Sequence, residues 1–359
     1  MTYKVIQWST GNVGKRVIHA VQDRDNLELV GTLVFSGNKH GKDAGEIAGI
    51  GPIGINATTS IDEIIAMDAD VVMHTPLPSL VYGDDPETDL NNICRLLESG
   101  KNVITVVGYM YPKVHGPEVV KRIEEACAKG NSSFHGTGAN PGWVGDVLPL
   151  TMSACSKTIH QIYTCEISTF DLYPSPEVII DMMGFSKTDE EYDSDIKRRA
   201  FWLNGLFHEN IQMVADGLDI KLDEIVDTVE RAYAPKDLHI AAGLIPKGTL
   251  AGLHYKWAGM HKGHEAIVHE TFWRAHASVS SHWPSGSHSI EIKGEGHMKL
   301  EFDWGILGED ILLSTGMHGV NAIPIVCEAQ PGIQTLIDLP WIMGKGAFRP
   351  PENNLGKNV

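Results

Sequence analysis

Residue types capable of chemistry gather in four short stretches of this chain. The first is Ser9-Thr10-Gly11-Asn12-Val13-Gly14, directly after the apolar run Val5-Ile6-Gln7-Trp8. Glycines at a strand–helix junction let the backbone approach an anion. The first turn of the helix adds free N–H groups and the positive end of its dipole. The chemistry this suits is capture of a pyrophosphate, and with it a dinucleotide redox cofactor. Ser9 holds the first glycine position of a G-x-G-x-x-G pattern, so the context carries the reading: a strand before it and a second strand at Leu27 to Phe35.

The second stretch, Phe35-Ser36-Gly37-Asn38-Lys39-His40, ends that second strand and has no acid before Asp43. An Asp or Glu there would hold a ribose 2′-hydroxyl. Ser36, Lys39 and His40 instead offer donors and charge to a 2′-phosphate, which favours NADP(H); NAD(H) stays possible. The third stretch is Gly136-Thr137-Gly138-Ala139-Asn140-Pro141-Gly142-Trp143. Its glycines imply a loop that a ligand approaches closely. Gly138 and Asn140 are expected at the cofactor, with Asn140 bonding the nicotinamide carboxamide or ribose, and Pro141 suits the first turn of a helix. Thr75 and Pro76, at the end of a third strand, complete the expected cofactor contacts.

The fourth stretch is Val106-Val107-Gly108-Tyr109-Met110-Tyr111-Pro112. Tyr109 and Tyr111 are candidate proton donors to a carbonyl oxygen as it becomes an alkoxide. Gly108, Met110, Trp143, Glu166, Phe170 and Tyr173 are the expected substrate pocket. Eight of the 17 histidines fall between His254 and His297. His261-x-x-His264 with His269 lacks metal-ligand spacing for a strand, so no metal is expected and these read as surface or interface histidines.

Positioning these groups requires an alternating scaffold. Strands are predicted at 3–8, 28–35, 70–75, 102–107 and 132–137, with helices at 13–23, 60–67, 85–99 and 116–129. This predicts an α/β fold: an N-terminal Rossmann domain with a doubly wound parallel sheet over residues 1–145. Residues 146–309 read as an α+β substrate or dimerisation domain. There a helix is predicted at Asp146 to Cys155, a strand at 158–169, helices at 190–216 and 222–230, and a largely antiparallel sheet with one covered face from about 246 to 303. Helical patterns at Ile311 to Cys327 and Pro331 to Ile337, within 310–345, are expected to pack back on the first domain. Residues 346–359 read as a tail.

The chain has 359 residues and a formal net charge of −17, which argues against nucleic acid or an anionic membrane as a partner. No apolar run reaches the ~20 residues that span a bilayer, and no cationic start with an apolar run marks a secretion signal. Five scattered cysteines without C-x-x-C spacing read as reduced thiols, so a cytoplasmic location is expected.

The Trp8-to-Gly14 start and the Gly136-to-Gly142 loop resemble the dihydrodipicolinate-reductase-like oxidoreductases. They are most similar to the branch of 2,4-diaminopentanoate dehydrogenase and the native amine dehydrogenases. Gly41 to Gly45, Tyr173 to Pro176, Pro246 to Gly252 and Val320 to Pro324 resemble that branch too. The resemblance implies a nicotinamide enzyme with a Rossmann domain, a C-terminal α+β domain and a homodimer. It implies interconversion of a small amine with its ketone or aldehyde. It also implies a catalytic glutamate after the fourth or fifth strand, where this chain has Gly108. That departure keeps two other readings in play: a carbonyl reductase or alcohol dehydrogenase, and a cofactor-binding protein without turnover.

Overall fold

The computed structural model describes residues 1–303 and 309–349. The first half alternates strand and helix. In order it holds β1 (Tyr3–Trp8), α1 (Asn12–Gln22), β2 (Leu27–Leu33), α2 (Ala44–Ala48), α3 (Ile61–Ala66), β3 (Val71–His74), α4 (Ser79–Tyr82), α5 (Thr88–Glu98), β4 (Asn102–Thr105), α6 (Pro117–Gly130) and β5 (Ser133–Gly136). Along β1, Tyr3 and Val5 face one apolar cluster while Ile6 and Trp8 face another. Both faces of this sheet are therefore covered, as a parallel sheet requires.

The second half holds α7 (Val147–Ser153), β6 (Thr158–Thr169), α8 (Asp189–Gly217), β7 (Glu224–Tyr233), β8 (Leu238–Ile240), β9 (Gly243–Ile245), β10 (Leu250–His261), β11 (His264–Arg274), β12 (His288–Glu295), β13 (Met298–Phe302), α9 (Glu309–Cys327) and β14 (Gly332–Ile333). The first sheet runs β14-β5-β4-β3-β1-β2, all parallel. The second runs β13-β12-β6-β11-β10-β7. It is mostly antiparallel, with β6 and β11 paired parallel.

Long helix α8 starts at a capping box, in which the Thr188 hydroxyl accepts from the Glu191 amide and the Glu191 carboxylate accepts from that of Thr188. It lies on the inner face of the second sheet, where Phe207 stacks on Trp257 at 4.0 Å. The outer face carries a polar ladder: His254 Nε2 lies 2.6 Å from Glu270 Oε1, and Lys256 pairs with Glu265 at 2.7 Å. Helix α9 returns from the second sheet to lie along α1. A Cβ on Gly316 would come within 3.2 Å of Val17, so the two backbones approach closely there.

Three sequence expectations are corrected. Residues 222–230, read as helical, form most of β7, an edge strand. Its Ile225, Val226, Thr228 and Val229 are β-branched and suit a pleated edge better than a helix. Pro331 to Ile337 is not helical either. Pro331 and Gly332 (φ 129°) break the helix, and the chain adds β14 beside β5. Pro141 does not open a helix: the Asn140–Pro141 peptide is cis, and α7 starts six residues later.

Candidate functional site

Two sites lie along the path from the first sheet to the second. The first is the turn between β1 and α1. Ser9 sits at φ 80°, the left-handed conformation that a glycine would adopt freely, so serine holds the backbone of the first glycine position at a steric cost. A Cβ on Gly14 would fall 2.2 Å from the Ser9 carbonyl, so only glycine lets α1 start this close to the strand. Among the described residues no atom lies within 4 Å of a Cβ on Gly11, which leaves the space above the turn clear of them. The Lys15 amide bonds the Gly11 carbonyl at 3.0 Å, and the amides before it are those that a helix leaves without a partner of its own.

Gln7, a polar residue inside an apolar strand, fixes the turn. Its Nε2 donates to the Ser9 carbonyl and to Thr75 Oγ1, both at 2.7 Å. Thr75 Oγ1 in turn donates to the Trp8 carbonyl at 3.3 Å. Pro76 follows at the end of β3. Lys39 folds onto the turn, with Nζ 3.1 Å from Thr10 Oγ1 and 3.2 Å from its carbonyl. Burial, and then the nearby Lys15 and Lys42, lower the pKa of its ammonium. Three cations converge here, a setting that an added phosphate would neutralise. Ser36 donates to Asn38 at 2.8 Å, and His40 Nδ1 accepts from the Thr59 amide at 3.2 Å. The open turn and the lysines fit the pyrophosphate and phosphates of a nicotinamide dinucleotide.

The second site is a cavity of about 360 Å³ between α8 and the inner face of the second sheet, closed on one side by Leu312 and Thr315 of α9. Glu166 of β6 lines it. Its Oε1 accepts from Trp273 Nε1 and Ser168 Oγ, each at 2.8 Å, and its Oε2 from Asn140 Nδ2 at 2.6 Å. His288 Nε2 stands 3.7 Å away. Burial pushes this carboxyl up, yet His288, Ser168 and Asn140 outweigh burial and hold it at about 2. It is an anion at neutral pH, walled largely by apolar side chains.

Behind Glu166 a polar chain runs into the core. Asp146 accepts from Asn210 Nδ2 and from the Gly142 amide. Asn210 Oδ1 lies 3.1 Å from His269 Nδ1, and His269 Nε2 lies 3.4 Å from Asn140 Nδ2. Because Asn210 donates through its nitrogen, its oxygen must accept, and His269 carries its proton on Nδ1. Burial raises Asp146 to about 6 and lowers His269 to about 3. The arrangement fixes the Asn140 amide, whose Oδ1 is buried and accepts no hydrogen bond from the described residues. That free acceptor at the cavity wall suits the N–H of a carboxamide or an amine.

The structure brings Glu166, Phe170, Tyr173 and Asn140 together at the cavity. Gly138 belongs to the same loop, and a Cβ there would meet the Pro141 carbonyl at 2.7 Å. Gly108, Met110, Trp143, Tyr109 and Tyr111 are not among its walls. Gly108 lies behind Leu206, and the Met110 amide donates to buried Glu209 at 2.8 Å. Trp143 packs edge-on against Phe302. Tyr109 packs on His115, and the Tyr111 hydroxyl donates to Asp216. Burial pushes both tyrosine hydroxyls well up. Sequence reasoning missed Gln7, His288, Ser168, Trp273 and the residues of α8. The one available signal was the histidine-rich segment, which holds His288 but was read as surface or interface.

Three comparisons bear on identity. The profile of the 2,4-diaminopentanoate dehydrogenase C-terminal domain matches residues 143–347, more than half of the chain, and that of the dihydrodipicolinate reductase N-terminus matches residues 5–83. An amine dehydrogenase of Streptomyces virginiae is 28% identical over 369 residues, covering 98% of each chain. A 2,4-diaminopentanoate dehydrogenase of Acetoanaerobium sticklandii is 28% identical over 247 residues, 68% of each. The structure of an amine dehydrogenase from Mycobacterium smegmatis superposes with a TM-score of 0.81 at 18% identity, covering 97% of this chain and 99% of that one, a likeness of fold. A nucleotide-binding turn on a parallel sheet, a walled cavity beside it and these matches lead to one conclusion: the chain belongs to the 2,4-diaminopentanoate dehydrogenase C-terminal-domain family and is an NAD(P)-dependent dehydrogenase.

Proposed function

We propose that this protein interconverts an amine with its ketone or aldehyde, using NADP(H) in preference to NAD(H). The observation that carries this reading is the buried Glu166 carboxylate at the cavity wall. Oxidation of an amine at carbon passes through an iminium cation, and a fixed anion stabilises that charge as it develops. Reduction of a carbonyl to an alcohol instead builds an alkoxide, which the same anion opposes. Glu166 therefore favours amine chemistry over the carbonyl-reductase reading, even with glycine at 108.

At a pKa of about 2, Glu166 is too weak a base to take a proton near neutrality. Its role is to hold the cationic nitrogen. His288, on the next strand and also lining the cavity, is the group placed to pass the proton of the ammonium form. This role moves away from Tyr109 and Tyr111, which point elsewhere. Asn140 Oδ1 accepts an N–H from carboxamide or substrate. The turn at Ser9 to Gly14, with Thr75 and Pro76, holds the pyrophosphate end of the cofactor, and Lys39 with Ser36 and His40 holds the 2′-phosphate. Bound there, the nicotinamide accepts or supplies a hydride at carbon. In balance, the ammonium form of the amine, NADP⁺ and water give the carbonyl compound, ammonium, NADPH and one proton.

Residues 1–145 serve the cofactor, 146–309 the substrate, and 310–345 close the site from the first domain. The outer face of the second sheet is the surface on which a second copy pairs to form a homodimer, which light scattering checks. A cytoplasmic location accords with five free cysteines. The test of function is NADPH oxidation with a panel of ketones and aldehydes, with and without ammonium. Turnover is expected only with ammonium, and Glu166→Gln should lower kcat/KM about 100-fold or more while NADPH binding, read by fluorescence, holds. Alcohol formation without ammonium would refute the proposal.

A further inference from the structure

The cavity also constrains what the amine is. We infer that the substrate is an elongated hydrophobic amine, or its carbonyl counterpart, larger than a single ring and without a carboxylate. This rests on the reading of Glu166 given above.

Length comes from α8. Tyr192, Leu203, Leu206 and Phe207 all line the cavity. Tyr192 and Leu203 are eleven residues apart, three helical turns, so they share a face. From Tyr192 to Phe207 the helix rises about 22 Å. Tyr192 and Phe207 mark the two ends of the lining on this helix, and the Tyr192 hydroxyl meets that of Tyr255 at 3.0 Å. Chemistry comes from the opposite wall. There Tyr255 and Trp273 meet edge to face with ring centroids 6.0 Å apart, and Trp273 is also the donor to Glu166. A flat apolar body laid along this wall keeps its nitrogen at the carboxylate.

Charge sets the exclusion. The ionisable groups among the described lining residues include Glu166, Asp171 and His288, but no lysine or arginine. A substrate carboxylate would find no lysine or arginine among the described lining residues, and the one imidazole there, His288, already stands beside Glu166, whose like charge it would face. An amino acid such as the one named for the Acetoanaerobium sticklandii relative is therefore a poor fit.

The experiment is a size series in NADPH and ammonium: butanone, cyclohexanone, 4-phenylbutan-2-one and 5-phenylpentan-2-one, with 2-oxo-5-phenylpentanoate as the carboxylated match. Burial of each added methylene is worth about fourfold. The expected result is a rise in kcat/KM of at least 100-fold from butanone to 5-phenylpentan-2-one, with the oxo acid at least 100-fold below its matched ketone. A flat series, or equal use of the oxo acid, overturns the inference and leaves the amine chemistry standing. Binding is read separately, by quenching of tryptophan fluorescence with 5-phenylpentan-2-amine, since Trp202 and Trp273 line the cavity. Tight binding of that amine without any turnover upholds the substrate class and overturns the proposed reaction. Leu203→Trp should lower the ratio of large-ketone to butanone kcat/KM at least tenfold. Val178→Phe, on a different wall, repeats the test if the first variant does not fold.

Discussion

Single side chains do unequal work at this site. Lys39 is the clearest case at the cofactor end, because it bridges the nucleotide turn and the end of β2 while two other lysines crowd it. A charge-assisted bond to a phosphate is worth about 1.5–3 kcal/mol. Lys39→Ala should therefore weaken NADPH binding about 10- to 100-fold and leave NADH binding nearly unchanged. Isothermal titration with both cofactors checks this, and an equal loss for both would assign Lys39 to the pyrophosphate instead. Glu166 shows the other extreme. An anion in such a place is tolerable only because Trp273, Ser168 and Asn140 all donate to it. Only Ser168 is near it in sequence; Asn140 and Trp273 are distant, which is why the residue read from sequence as one pocket wall among six.

At the level of elements, α9 joins the halves of the molecule. Its Leu312 and Thr315 close the cavity while Gly316 faces Val13 and Val17 of α1. Gly316→Leu would force α9 off α1, and overpacking of this kind costs about 1–3 kcal/mol. A lower melting temperature and a reduced urea midpoint are the expected readings. The turn between β1 and α1 was legible as a turn because strand, turn and helix are contiguous. The first sheet was legible because its strands are apolar runs between amphipathic helices. Strands β7 and β14 were not, since an edge strand with solvated charges and a two-residue strand carry little periodicity. The cavity was the least legible. Its polar groups come from the loop after β5, from β6, from β11 and from β12, and only the register of β6 against β11 and β12 brings Glu166 to Trp273 and His288.

For the whole molecule, the buried imidazoles set an acid limit. Burial lowers His74 and His135 to about 4, and His269 and His318 to about 3. An unfolded chain takes protons on these groups below about 6.5 that the folded chain refuses. The stability they lend is complete above 6.5 and is lost as pH falls from there toward 3–4. Asp146 acts in the opposite sense between about 6 and the ordinary aspartate value, cancelling roughly one of the four. Below the ordinary glutamate value Glu166, held at about 2, adds to the loss. The net slope is on the order of a few kcal/mol per pH unit. Urea unfolding from pH 8 to 4.5 should show a steep fall below 6, whereas above about 6.5 His115 and His254, raised because their carboxylate partners outweigh burial, add stability as pH falls. A flat profile would mean that the histidines are not buried as neutral groups.

Gly108 bears on how two layouts of such a site are related. Its backbone is at φ 120°, a region that L side chains rarely enter, and Leu206 stands 3.5 Å from where a Cβ would be. Gly108→Glu, the substitution that the family resemblance invites, is thus not a reversion. It should destabilise the fold by about 1–3 kcal/mol, seen as a lower melting temperature, without a gain in amination rate. A side chain at 108 thus carries a main-chain cost that one at 166, within the regular strand β6, does not.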